Sequence, residues 1–195
     1  MNETPRLDIA ALGSATLCEA FQTTAAQRPE QVALRTLGGA TEITYAEFRA
    51  QVRALAEGLH SLGVGRGDTV ALMLTNRPEF SLVDTAVMHL GATAFSVYNT
   101  SSAEQANHLF RNAGNRIVVT ERQFLPRVLE SRTPEIEHIV LVDDAEAGTI
   151  TLQDLARRRA LGFDFDAAWR AVYHDAAATL IYTSGTTGPS KAVQL

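Results

Sequence analysis

The chain has 195 residues, 46% hydrophobic and 20% charged, with 17 Lys and Arg against 22 Asp and Glu for a net charge of −5. That is an ordinary globular balance in a chain long enough to bury about 70% of its unfolded surface, so disordered, collagen-like and coiled-coil readings are excluded. The acid excess argues against a nucleic-acid module, and a single cysteine, Cys18, excludes an internal disulfide or a multi-cysteine metal site.

The N-terminus, MNETPRLD, lacks the apolar core of a signal peptide. No run approaches the ~18 apolar residues of a membrane span. A cytoplasmic protein without a transmembrane segment is therefore expected. Cys18 reads as a buried small hydrophobe.

Thr16 and Glu19 have capping-box spacing and predict a helix start, with Leu17, Ala20, Phe21 and Ala25 on its inner face. Val32–Leu37 and Glu42–Tyr45 read as strands of a hairpin turning at Gly38-Gly39-Ala40. A second box, Thr44 with Glu47, opens a long helix whose apolar face is Phe48, Val52, Leu55, Ala56, Leu59 and Leu62, ending at Gly63.

β–α units follow. Thr69–Leu74 is almost wholly apolar, as a strand buried on both faces should be. Pro78 suits the first turn of a helix carrying Phe80, Val83, Val87 and Leu90, and Gly91 ends it. Ala92–Val97 is a strand. Ser102 and Gln105 cap a helix with Ala106, Leu109, Phe110 and Ala113 inward, and Gly114 follows. Ile117–Thr120 and Ile139–Val142 are further strands. Residues 143–148 form an acidic loop, and short helices are expected over Leu152–Leu161 and Ala167–Val172. Arg157-Arg158-Arg159 reads as a solvated helix face. Strands alternating with helices predict an α/β fold with a doubly wound, mostly parallel sheet and an N-terminal β-hairpin.

The chemistry is concentrated at residues 178–195. Ala178–Tyr182 is an apolar strand. Thr183, Ser184, Thr186 and Thr187 are then interleaved with Gly185 and Gly188, and Pro189, Ser190 and Lys191 follow. Glycines let backbone N–H groups converge on an anion, hydroxyls add rotatable donors, and Lys191 supplies a cation. The Walker A pattern is absent, because Ser190 stands where its second glycine belongs and Ala192 follows the lysine. Residues 192–195 read as a second strand, so the loop is expected inside a β-hairpin.

YTSGTTGPSKAV at 182–193 resembles the phosphate-loop signature of the adenylate-forming superfamily of acyl-CoA synthetases, luciferases and peptide-synthetase adenylation domains. ITYAEF at 43–48, VALMLTNRPEF at 70–80 and HLGATAFSVYNTSSAEQANHLFRNAG at 89–114 also resemble that family's segments, in order. The TSS after Tyr98 and Asn99 leans toward fatty-acyl-CoA ligases. The resemblance implies an AMP-forming reaction. A fatty or other carboxylate attacks the α-phosphate of ATP, pyrophosphate leaves, and CoA thiol then displaces AMP. It implies ATP, Mg²⁺ and CoA as participants. Thr183, Ser184, Gly185, Thr186, Thr187, Gly188 and Lys191 would bind ATP phosphates, with Thr183 also the candidate magnesium contact.

Two departures stand out. The family places Pro before the lysine and Gly after it, where this chain has Ser190 and Ala192; Ala192 is costly only if its φ is positive. Family members are also well over twice this length. The expectation is a truncated N-terminal portion of an AMP-binding domain spanning 1–195, with no complete catalytic set. The alternative is a non-catalytic remnant or binding module that pairs with a separate C-terminal chain. His89 and His108 read as structural or surface residues and Trp169 as a core or cover residue. Tyr98 is either structural or, by the resemblance, near the acyl channel.

Overall fold

The computed structural model describes residues 10–183 and 190–195. Chain order gives α1 (Leu17–Gln27), β1 (Val32–Arg35), β2 (Glu42–Thr44), α2 (Tyr45–Ser61), β3 (Thr69–Met73), α3 (Pro78–His89), β4 (Thr93–Ser96) and α4 (Ala103–Ala113). Then come β5 (Ile117–Thr120), α5 (Leu125–Glu130), β6 (His138–Leu141), β7 (Ile150–Thr151), α6 (Leu152–Arg157), α7 (Phe165–Arg170), β8 (Thr179–Thr183) and β9 (Lys191–Gln194).

The expected α/β architecture is present. A seven-stranded sheet runs β7-β6-β5-β3-β4-β8-β9, parallel except for β9, which pairs antiparallel with β8. β1 and β2 form a separate antiparallel hairpin. Its connection bends through Gly38 and Gly39, whose φ values of 82° and 72° suit residues without a Cβ.

Strand alternation divides the core in two. Val70, Leu72, Ala94, Ile117, Val119 and Val140 face α2, α3, α6 and α7. Ala71, Met73, Phe95, Val118, Ile139 and Leu141 face α4 and α5. Both faces of β3 to β6 are covered, which is why those strands are almost continuously apolar.

The caps explain the helix starts. Thr44 with Glu47 and Ser102 with Gln105 form complete capping boxes. The Thr16 hydroxyl accepts from the Glu19 amide as expected, but the Glu19 carboxylate accepts from the Ala15 amide rather than closing back on Thr16. The inner face of α1 differs in part: Ala25 is buried and Phe21 packs against the core, as expected. Cys18, Gln22 and Ala25 are buried, whereas Leu17 is 59% exposed. α1 docks through its polar Gln22 because His89 of α3 offers that amide a buried partner.

Two elements went unforeseen, α5 and β7. α5 starts at Leu125 with Pro126 in its first turn, and β7 is only two residues long. α6 ends at Arg157, so Arg158 and Arg159 lie beyond the helix. The arginine run is solvated, with Arg157 near Asp154 and Arg159 near Glu57.

Candidate phosphate-binding site

In a parallel α/β sheet, ligands collect outside the carboxyl ends of the strands. β4 and β8 run parallel, pairing Ala94 with Thr179 and Phe95 with Leu180. Thr183 therefore leaves the sheet at the same end as the chain following β4. A groove of about 570 Å³ opens there, lined by Tyr98, Ser101, Gln105, Leu109, Tyr182 and Thr183 among others. The backbone after β4 is pinned from the side, because the Arg127 guanidinium donates to the Asn99 carbonyl. Tyr98 is 67% exposed in this groove, so its role is not that of a core residue.

β9 returns antiparallel to β8, and the register places Thr183 opposite Lys191. Directly opposed residues share a face of the sheet, so the Thr183 hydroxyl and the Lys191 ammonium rise on the same side. Both are exposed. Tyr182, one residue earlier, points to the other side and is buried against Phe95, with ring centroids 5.6 Å apart. Burial raises the Tyr182 phenol above its ordinary value. Its hydroxyl donates to Asn112 Oδ1 at 2.9 Å.

A neutral hydroxyl donor beside a lysine suits an anionic phosphate oxygen. Of the residues expected to bind phosphate, Thr183 and Lys191 are thus brought together. Ser184, Gly185, Thr186, Thr187 and Gly188 lie outside the described residues. Ala192 has no positive φ, so the backbone strain that replacing the family's glycine could bring is absent. No group of three or more His, Cys, Asp or Glu residues able to hold a metal is found among the described residues.

A second groove, about 840 Å³, lies between the β1–β2 hairpin, α2, α3 and α6. Its rim charges are engaged internally. Glu42 pairs with Arg35, Glu47 caps α2, and Glu79 pairs with Arg77. The first groove is the candidate because Thr183 and Ser190, which flank the hydroxyl–glycine run in the sequence, line it.

His89 was expected to be structural and is. Its ring is fully buried between Gln22 and the Thr85 carbonyl and stacks on Phe165. Burial pushes its pKa down to about 4. His108 is less bland than a lone helical histidine suggests, since its Nε2 lies 3.0 Å from the Ser190 carbonyl. Sequence spacing gave no signal for that contact, which joins residues 82 positions apart. Trp169 is half-buried, donating from its indole to Asp166.

The AMP-binding enzyme family matches residues 21–195. The chain belongs to that family. Among this AMP-binding chain's relatives, the uncharacterized protein Rv1549 of Mycobacterium tuberculosis is 55% identical over 130 residues, covering 67% of this chain and 74% of that protein. The long-chain-fatty-acid–CoA ligase FadD15 of Mycobacterium bovis is 34% identical over 160 residues, covering 80% of this chain and 26% of the ligase. This chain thus spans about a quarter of the length of that relative. Among solved structures, the anthranilate CoA ligase AuaEII in complex with anthranoyl-AMP superposes with a TM-score of 0.81 at 22% identity, over 91% of this chain and 34% of that one. That likeness bears on the fold. No helix among the described residues is long and apolar enough to cross a membrane.

Proposed function

We propose that this chain is the phosphate-loop portion of an AMP-forming fatty-acyl-CoA ligase, working in the cytoplasm on ATP, a carboxylic acid and CoA. The observation that carries the reading is the in-register pair of Thr183 and Lys191 at the carboxyl end of the sheet, within a chain of the AMP-binding family. The resemblance to a long-chain-fatty-acid–CoA ligase supports the acyl class.

In this mechanism a carboxylate oxygen attacks the α-phosphorus of ATP. The bond to the bridging β-phosphate oxygen breaks, and pyrophosphate leaves with its electron pair. CoA thiolate then adds to the acyl carbon and AMP departs. Lys191 draws negative charge off the leaving pyrophosphate, and the Thr183 hydroxyl donates to one of its oxygens. Ser184, Gly185, Thr186, Thr187 and Gly188 add donors by their residue types. Magnesium, when bound, would supply further charge neutralisation, and Thr183 would be the residue to hold it. Catalysis of this kind is positioning plus charge stabilisation.

Solvent decides how much the described residues achieve alone. A lysine–phosphate pair at 4 Å is worth roughly 4 kcal/mol at an effective dielectric near 20 and about 1 kcal/mol in water. Lys191 and Thr183 are exposed, so ATP affinity near millimolar, about −4 kcal/mol, is expected of this chain. Full turnover is proposed to need the ribose, carboxylate and lysine groups that ligases carry in further sequence, in the same or a complementing chain. The second reading, a binding module without turnover, shares every residue here.

Fatty-acid-dependent ATP–pyrophosphate exchange separates the two. Exchange by the 195-residue chain above a Lys191→Ala control establishes adenylation by these residues. Exchange restored only by adding a C-terminal ligase segment supports the split-ligase reading. Absence of exchange in both settings overturns the ligase reading and leaves the binding module.

A further inference from the structure

The two strands carrying Thr183 and Lys191 are each tied to one helix, at the residue next to the phosphate-facing one. On β8, the Tyr182 hydroxyl donates to Asn112 Oδ1 at 2.9 Å and lies 3.5 Å from the Leu109 carbonyl. Just before β9, the Ser190 carbonyl faces His108 Nε2 at 3.0 Å. A carbonyl only accepts, so Nε2 carries the proton in this contact. His108 and Asn112 stand four positions apart on α4 and share one helix face. That face also presents Gln105 and Leu109 to the groove.

Strand alternation turns these ties into an aiming device. Tyr182 points toward α4 and is buried, so Thr183 must point away from it. The Thr183–Lys191 pairing then sends Lys191 the same way. With β9 exposed along its length, the β8 ladder and the His108 contact hold the Lys191 end among the described residues.

We infer that His108 and Asn112 of α4 are positioning residues for the phosphate site, holding Lys191 and Thr183 in register for an anion. This rests on the phosphate-binding reading of Thr183 and Lys191. His108 acts through the Ser190 carbonyl and Asn112 through Tyr182. Neither touches the anion. Because Nε2 is protonated in both the Nε2–H tautomer and the imidazolium, the His108 tie survives protonation and is broken only by the Nδ1–H tautomer or by loss of the ring.

Inorganic pyrophosphate binding to the full 195-residue chain, followed by calorimetry, tests this. Lys191→Ala reports on the phosphate reading and should weaken binding about fivefold or more. His108→Ala should weaken it by about threefold to tenfold, the scale of one lost hydrogen bond, with the melting temperature little changed. His108→Gln, which keeps an N–H donor at similar reach, should return affinity to within about twofold of wild type. Asn112→Ala should weaken binding and Asn112→Asp, which keeps the acceptor, should restore it. Nitrogen NMR of the His108 ring should show the proton on Nε2. Loss in Lys191→Ala with none in His108→Ala overturns the positioning role and leaves the phosphate reading standing. So does a His108→Ala defect that tracks a lowered melting temperature and is not rescued by glutamine, or an Nδ1–H ring. Undiminished binding in Lys191→Ala overturns the phosphate reading and the inference together.

Discussion

At the level of single residues, α3 carries two groups whose burial works in opposite directions. His89 is buried and held neutral, its pKa down near 4 from an ordinary 6.5. The unfolded chain therefore takes up the proton first, so its contribution is full above pH 6.5 and is lost as pH falls toward 4. Asp84 is part-buried, its carboxyl makes no hydrogen bond among the described residues, and it is pushed up to about 6 from 3.8 by desolvation. Here the folded state holds the proton longer, so stability falls as pH rises from 3.8 through 6. The two slopes largely cancel between pH 4 and 6.5 in the native chain. Asp84→Asn should raise stability at pH 7 by roughly 2 kcal/mol. The gain should shrink toward zero near pH 4, as read from urea midpoints at the two pH values. His89→Gln should remove the acid slope that histidine contributes. Cys18 of α1 also lies against α3, its thiol donating to the Met88 carbonyl. Fully buried and pushed up to about 12, it should resist thiol reagents in the folded state.

Between elements, the packing of α2 on α6 depends on one missing methyl group. A Cβ at Gly58 would lie 2.1 Å from the Leu155 carbonyl oxygen. Backbone cannot yield to that overlap as a flexible side chain would. Gly58→Ala should destabilise by about 1–3 kcal/mol despite alanine's better helix propensity, through separation of the two helices. Thermal unfolding measures it, with Gly65→Ala, where no atom lies within 4 Å, as the tolerated comparison. A second tie joins the carboxyl ends of three strands. Arg77 bridges Glu79, Glu121 and Asp143, and Glu121 also accepts from the Thr75 amide. Hydrogen bonds and the Arg77 charge offset desolvation and hold all three carboxyls below their ordinary values. Their shared support is present above the carboxylate range and is lost as pH falls below it.

For the molecule as a whole, the sheet is finished unevenly. β3 to β6 are covered on both faces, whereas β8 is covered by α4 on one, through Tyr182, and β9 is exposed along its length. On the other side Ile181 is 43% exposed and Val193 44% exposed, opposite each other in register. β9 is one of the two edge strands of the seven-stranded sheet among the described residues. An exposed apolar edge without charges on that pair invites strand pairing between molecules. The 195-residue chain should show concentration-dependent association by light scattering. Ile181→Lys with Val193→Glu should reduce it without lowering the melting temperature by more than a few degrees.

Sequence alone determined the local structure wherever one residue type had one physical use. The capping pairs Thr44–Glu47 and Ser102–Gln105, Pro78 in the first turn of α3, and the apolar strands β3 to β6 were legible because caps, proline geometry and two-sided burial leave strong local marks. The run from Thr183 to Lys191 stands out in the sequence because glycines, hydroxyls and a lysine are the residue types that suit an anion, which is the basis of the site proposed for it. The tertiary structure alone decided the inner face of α1, since the burial of Gln22 rather than Leu17 depends on His89, 67 positions away. It also decided the six-residue α5 and two-residue β7, too short for any periodicity to show. And it decided that α4 reaches both strands beneath Thr183 and Lys191, because hydrogen bonds spanning 70 and 82 residues follow from the order of strands in the sheet and not from any local pattern.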